Sequence, residues 1–328
     1  MKPFSPRSDF SPAPFDGRRF ANLGTGQPHG LGAVLRWMLT RQRGAWPSEV
    51  ANDPAPRPRA RVDDGTIHAT VIGHATVLIQ VAGLNLLPDP VWSPTIGPVK
   101  GLGIRRVCPP ALAFEDLPKI DVVLLSHNHY DHLDRPTLAA LAARDRPLVL
   151  TGLKGGKAVP GETVELDWWQ SHDLSDRLRA TYVPATHFSG RGLFDRNASL
   201  WGGFVVESPS GPIYFAGDTG AGPHFAQIRE RFGPITLALL PIGAYAPRWF
   251  MAAVHVDPAE AVAASLTLEA KCSLAIHFGT FRLADEPFDA PPQALAEALA
   301  AARGPNRGLD FRIPRFGSAE IVEAGTQR

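Results

Sequence analysis

His127, His129, Asp131 and His132 crowd into one short segment, LLSHNHYDHLD, directly after an apolar run that reads as a strand. Loops at strand ends are where binding and catalytic groups concentrate, because a rigid element fixes the base of a short segment. Alternate residues in such a loop can point the same way, so His127 and His129 can share one metal ion while Asp131 and His132 turn toward a second. Imidazole nitrogen with carboxylate oxygen suits zinc, manganese and iron also accept this donor set, and no thiolate asks for a softer ion. Taken alone, the segment also reads as a solvated, histidine-rich turn. Three further residues repeat its placement and weigh against that: His187 after LRATYVPA, Asp218 after IYFAG and His277 after CSLAI. Strands of a shared sheet carry their carboxyl ends to one edge, so groups spread from 127 to 277 can converge. Seven ligands for two ions result. Two cations a few ångströms apart lower the pKa of a shared water enough to give hydroxide at neutral pH, so hydrolysis without a Ser or Cys nucleophile is the expected chemistry.

The elements that must position these groups are legible as periodic runs. TIHATVI from Thr66, then Ala75 to Val81 and Leu84 to Leu87 across an Ala82-Gly83 turn, read as strands. So do Ile120 to Leu125, Pro147 to Leu150, Leu178 to Val183, Phe204 to Glu207, Ile213 to Phe215, Leu237 to Leu240 and Cys272 to Ile276. Helical spacing runs from Thr137 to Arg144, with Asp134 as N-cap and Pro136 just inside, and again over Phe225 to Arg231, Pro258 to Leu266 and Pro292 to Ala302. Alternating strands and helices on a mixed sheet imply an α/β sandwich. There is no internal repeat, and GLKGGK at 152 to 157 lacks phosphate-loop spacing.

Ahead of this lies an extension, residues 1–64, and the hydrolase domain is expected over 65–328. Residues 1 to about 28 are rich in Pro, Gly and Arg and read as an irregular arm that carries no chemistry. Leu31, Val34, Leu35, Met38 and Leu39 fall at helical spacing with Arg36, Arg41 and Arg43 on a basic side, giving one amphipathic helix from Leu31 to Arg43. Its apolar face either packs on the domain or enters a lipid headgroup boundary while the arginines meet anionic lipid. DPAPRPRARVDD, 53 to 64, is a proline-rich linker.

The composition is that of a globular protein: 328 residues, 44% hydrophobic, enough for a sizeable core. A net charge of +1 gives no overall basic excess to hold nucleic acid. Pro, Ser and charge fill the first twenty residues where a signal peptide needs an apolar stretch, and no window offers about 18 consecutive apolar residues. The expected place is the cytoplasm, with peripheral contact to a membrane. Cys108 and Cys272 form no disulfide pattern; Cys272 reads as a small buried residue and Cys108 shows no sign of ligation.

At this point the chain resembles a known group. HxHxDH followed by His, Asp and His is the signature of the metallo-β-lactamase superfamily. The wider motif set is GHATVLIQ (73 to 80), SHNHYDHLD (126 to 134), SLWGGF (199 to 204), FAGDTG (215 to 220), PIGAYAPRWFM (241 to 251), HVDPAEAV (255 to 262) and AIHFGTF (275 to 281). It resembles the N-acyl-phosphatidylethanolamine-hydrolysing phospholipase D family and its bacterial relatives, over residues 66 to 290. The resemblance implies a four-layered αββα sandwich, one zinc on His127, His129 and His187, another on Asp131, His132 and His277, and Asp218 bridging them. It further implies a phospholipid phosphodiester as substrate and a homodimer. Ala246, where a Glu is usual, and Ala221, where an aromatic is common, depart from the pattern and bear on substrate fit.

His255, in AAVHVDPAE ahead of a Pro258-led helix, has a family counterpart beside the metals; it reads as a hydrogen-bond donor to substrate or leaving group, or else as a helix-entry histidine bonded to backbone. His74 is a candidate buried partner of the ligands and Asp89 a candidate orienter of a metal-bound histidine. Trp168 and Trp169 read as core, Arg248 and Trp249 as structural or pocket-lining, and His29, His68, His172 and His224 as ordinary. Three rivals stand beside the phosphodiesterase. A lactonase or other ester hydrolase could use the same centre. A non-catalytic lipid-binding protein is disfavoured because a structural zinc closes its sphere with four ligands. A nuclease is disfavoured by the near-neutral charge.

Overall fold

A computed structural model of the chain describes residues 10–23, 29–53, 55–99, 101–192, 194–302 and 309–323. Residues 1–9 and 24–28 of the N-terminal arm, Pro54 of the linker and the last five residues of the expected domain lie outside the described residues.

The strands are β1 (Thr66–Gly73), β2 (Thr76–Val81), β3 (Leu84–Pro88), β4 (Thr95–Val99), β5 (Leu102–Arg105), β6 (Val122–Leu125), β7 (Leu148–Gly152) and β8 (Thr163–Leu166), followed by β9 (Ser171–Asp173), β10 (Arg179–Val183), β11 (Gly203–Glu207), β12 (Ile213–Phe215), β13 (Leu237–Pro241), β14 (Cys272–Ile276), β15 (Phe311–Arg312) and β16 (Ala319–Glu323). They form two seven-stranded sheets, in the orders β16-β1-β2-β3-β6-β7-β8 and β15-β14-β13-β12-β11-β10-β9, with β4 and β5 a separate hairpin. In the first sheet β16, β1, β2 and β3 pair antiparallel and β3, β6, β7 and β8 parallel.

Side-chain alternation explains the layering. Along β6, Val122 and Leu124 join the large core shared by both sheets, whereas Val123 and Leu125 join a second core with Leu138 and Leu141. Those two leucines lie on α2 (Arg135–Arg144), so this helix covers the outer face of the first sheet. Successive residues point to opposite faces, and strands buried on both faces read as continuous apolar runs. On the second sheet, α5 (Pro258–Thr267) packs against β13, with α3 (His224–Phe232) and α6 (Ala290–Ala302) beside it. The result is the expected αββα sandwich. Asp134 stands at the N-cap of α2 as read, but its carboxylate makes no cap bond; it accepts from Ser93 Oγ at 2.7 Å and Thr137 Oγ1 at 2.6 Å. Trp168 and Trp169 are core, as read.

The extension is stitched onto the sandwich. Its helix α1 (Leu31–Thr40) stops three residues before the sequence pattern suggests, because Arg41 turns extended and its guanidinium pairs with the buried Asp285 at 2.8 Å. Trp37 Nε1 donates to the same carboxylate at 2.7 Å, and the Trp37 ring stacks on Phe250 of α4 (Arg248–Met251) at 4.8 Å. Leu35, Met38 and Leu39 are 58–78% exposed, so the helix docks through Trp37 and not through the Leu and Met face. No helix among the described residues is long and apolar enough to cross a membrane.

Candidate metal centre

The seven residues singled out from the sequence come together, although not by one sheet edge. His127, His129, Asp131 and His132 follow β6 of the first sheet, while His187, Asp218 and His277 follow β10, β12 and β14 of the second. β10 and β12 are each antiparallel to β11, and β12, β13 and β14 are mutually parallel, so these three strands release their loops at one end. The site is therefore a seam between two sheets. Close approach across it needs Gly217: a Cβ there would come 2.6 Å from Ser126 Cβ, and its φ of +59° suits glycine. His74, Asp89 and His277 also hold positive φ without being glycine, a strain that tends to persist where surrounding structure enforces it.

Among the described residues, two adjoining groups stand out. His127, His129, His187 and Asp218 bring ligand atoms within 4.8 Å of one another, and so do His74, Asp131, His132 and His277. Asp218 adjoins both: Oδ1 is 3.0 Å from His277 Nε2, and Oδ2 is 3.2, 3.7 and 3.9 Å from Nε2 of His132, His187 and His127. Three of the far ring nitrogens are tied down, those of His127, His132 and His187. His132 Nδ1 donates to Asp89 Oδ2 at 2.6 Å, and His187 Nδ1 to the Val254 carbonyl at 2.9 Å. Ser126 Oγ gives its proton to Asp89 at 2.5 Å and so accepts from His127 Nδ1 at 2.9 Å. One buried carboxylate thus fixes the Nδ1 side of two histidines, leaving their Nε2 atoms facing inward.

The electrostatics call for cations. Asp89, Asp131 and Asp218 are all buried, and among the described residues their ion partners within 4 Å are histidines, never Lys or Arg. Burial opposes charge on His132, yet the surrounding Asp218, Asp131 and Asp89 hold its pKa well above the ordinary imidazole value; against the same burial, Asp218 and Asp131 hold His277 at about 9. Burial drives His129 down to about 3 and His187 to about 4. His132 Nε2, His277 Nε2 and Asp218 Oδ1 are buried and make no hydrogen bond despite lying so close. A buried polar atom left unsatisfied costs about 1–3 kcal/mol. Inward lone pairs, excess negative charge and unpaired buried atoms in one place fit metal cations.

His255 stands at the rim, its ring 5.1 Å from His187 and 5.6 Å from His277, with a buried Nδ1 that has no partner. Desolvation pushes its pKa well below the usual value. Its carbonyl accepts from Arg248, which also pairs with Glu260 of the α5 capping box, so Arg248 is structural. His74 Nε2 donates to Asp131 Oδ2 at 3.1 Å. At Ala246, the backbone N–H donates at 3.0 Å to buried Glu286, which also takes Ala244 N–H; Ala221 is exposed. Of the histidines read as ordinary, His224 is buried against Thr219, next to Asp218, and His29 stacks on Phe250.

Sequence reasoning missed three groups. Ser126 was open to notice, being adjacent to His127. Arg191 Nη1 donates to the Asn128 and Leu133 carbonyls at 2.9 and 2.8 Å and so braces the loop that carries His127 to His132. Asn22, in the arm read as inert, bonds the backbone of His187. Neither of the last two carries a local pattern.

Relatives place this geometry in context. A protein of Mycobacterium tuberculosis described only as uncharacterised is 40% identical over 283 residues, 82% of this chain and 73% of its own length. The N-acyl-phosphatidylethanolamine-hydrolyzing phospholipase D 1 of Caenorhabditis elegans is 37% identical over 272 residues, 79% of this chain and 76% of its own. Among solved structures, a metallo hydrolase of Ignicoccus hospitalis superposes with a TM-score of 0.56 at 21% identity, covering 79% of this chain and 99% of that one, a likeness of fold. Residues 84–278, which carry all seven clustered residues, match the model of the beta-lactamase superfamily domain, and the chain belongs to that metallo-β-lactamase superfamily of hydrolases.

Proposed function

We propose that the chain is a dinuclear, zinc-dependent phosphodiesterase that hydrolyses a phospholipid such as N-acyl-phosphatidylethanolamine in phospholipase D fashion. The observation that carries the reading is the place of Asp218, whose two carboxylate oxygens lie against imidazoles of both groups. The C. elegans relative supports the substrate class. His127, His129 and His187 would hold one ion, Asp131, His132 and His277 the other, and Asp218 both, within a hydrolase domain spanning 65–328. Bound ions supply Lewis acidity and bring the pKa of water near neutrality. The chain's part is to aim and to hold protons: Asp89 keeps His127 and His132 in one tautomer, and Arg191 keeps the ligand loop closed. A cavity of about 870 Å³, walled in part by Trp92, Ile96, Phe114, Tyr130 and Leu133, adjoins that loop and has the size of a ligand pocket. Elemental analysis combined with turnover of phosphodiester, lactone and nucleic-acid substrates tests the whole reading. One ion or fewer per chain, not raised by added metal, or turnover of lactones alone, would count against it.

His255 is assigned the contact with substrate or leaving group. Being neutral at pH 7, it offers one N–H and not a charge. His255→Ala is expected to keep its metal and lose rate by about 10²-fold. Loss of metal in that variant would make His255 a ligand instead.

The exposed Leu35, Met38 and Leu39 with Arg36 on α1, and Arg43 just beyond it, make a surface suited to a lipid interface. Arg41 does not belong to it, since Asp285 holds it. A long-chain phospholipid diester should be turned over faster than a short soluble one, and vesicle co-sedimentation should weaken with salt and in Arg36→Gln/Arg43→Gln. Turnover of the soluble diester alone, with no vesicle binding at any salt, removes the lipid assignment and leaves the hydrolase.

A further inference from the structure

His187 lies beyond the end of β10, where the sheet no longer supplies a neighbouring strand, and both of its peptide groups pair with the side chain of Asn22. The His187 N–H donates to Asn22 Oδ1 at 3.1 Å, and Asn22 Nδ2 donates to the His187 carbonyl at 2.9 Å. The amide thus does what an adjacent backbone would do. Its orientation is fixed by a second donor, because Trp201 Nε1 reaches Oδ1 at 2.9 Å, and only an oxygen can accept from both. With Nδ1 bound to the Val254 carbonyl, backbone and ring of His187 are both held, and Nε2 lies 3.3 Å from His129 Nδ1.

Asn22 is itself firmly built in. Phe20, two residues away, is 3% exposed and belongs to the large core; its N–H donates to the Asn197 carbonyl at 2.8 Å, and Asn197 N–H in turn to Ser189. Ala13 N–H donates to Asp167, and Phe10 packs on Trp169 at 4.8 Å. Residues 10–23 are therefore an anchored strap, and they precede the segment 84–278 that matches the superfamily domain. The other group, Asp131, His132 and His277, is oriented from elsewhere, by Asp89 and His74.

We propose that Asn22 is a positioning residue of the metal centre: the N-terminal strap completes the His127–His129–His187 half and leaves the Asp131–His132–His277 half independent of it. The proposal rests on the metal reading above. Full-length wild type, Asn22→Ala and Asn22→Asp are loaded with cobalt(II), and ion content, binding affinities, visible absorption and thermal unfolding are measured. Wild type should hold two ions. Asn22→Ala should keep one at wild-type affinity and bind the other about 10–100-fold more weakly, the cost usual for losing a group that orients a ligand. Its spectrum should lose the contribution of that ion alone. Asn22→Asp keeps the acceptor for His187 N–H and Trp201 but loses donation to the His187 carbonyl; it should show the same selective loss, smaller, and carries the test if Asn22→Ala does not fold. Two ions at wild-type affinity in the variants overturn the proposal. So does a parallel weakening of both ions with a lowered unfolding temperature, which marks a merely structural contact. A wild type that binds no cobalt overturns the metal reading itself, and the inference with it.

Discussion

Asp218→Asn is expected to impair both ions at once and to lower hydrolysis by about 10³-fold or more, the equivalent of several kcal/mol of transition-state stabilisation. The variant keeps the side chain's shape and removes its charge. One of its two terminal atoms becomes an N–H donor aimed at imidazole nitrogens that now lie 3.0 to 3.9 Å from carboxylate oxygens. Asp131→Asn is the natural comparison, because Asp131 contacts His74, His132 and His277 but not the histidines of the other group. It should reduce the metal content by one ion where Asp218→Asn reduces it by two. Elemental analysis alongside steady-state rates decides the matter. An Asp218→Asn protein with full metal and full rate would show that the carboxylate is not shared.

Removing metal with a chelator should abolish turnover and lower the melting temperature, and the second effect should depend on pH. Each ion bound at a free concentration 1,000-fold above its dissociation constant adds about 4 kcal/mol to the folded state, and about 1 kcal/mol moves the melting temperature of a large domain by roughly 2–4 °C. In the metal-free protein His277 has a folded pKa of about 9, above its unfolded value, and His132 is raised in the same direction. The contribution of His277 is therefore full below about 6.5 and lost as pH rises through about 9, and that of His132 is lost in the same direction. Apo protein should therefore lose stability across that window, whereas loaded protein, whose ligands are already deprotonated, should not. Differential scanning calorimetry of both forms from pH 6 to 9.5 reads this directly. Parallel curves for the two forms would mean that the raised histidines carry no counter-charge for the carboxylates.

The chemistry was more legible in the sequence than the frame that aims it. Ligand types and strand-end placement are local properties, so His127 to His132, His187, Asp218 and His277 could be read off short windows, as could β12 and β14 to the residue. What no window contains is which sheet a strand joins. The expectation of one shared edge gave way to a seam because β6 and β14 belong to opposite layers. Short or edge elements escaped for a related reason: β9, β15 and the hairpin β4–β5 have too few alternating residues to stand out, and β5 is exposed along its whole length. α1 shows the limit of amphipathic patterning. Its Leu and Met stripe left open packing on the domain or contact with lipid, and a Trp with one polar partner at Asp285 decided which side docks.

The pairing of β1 with β16 has a consequence for how the chain is made. Thr66 lies opposite Glu323, so one edge of β1 stays open until the residues around 323 have been made. At typical synthesis speeds of about 5–20 residues per second, that interval lasts on the order of 10–50 s. An unpaired strand edge is a template for wrong partners throughout it. His277, 46 residues before Glu323 by numbering, joins the candidate cluster nearly as late. The first sheet is therefore completed only late in synthesis, and the edge of β1 that β16 covers is exposed until then.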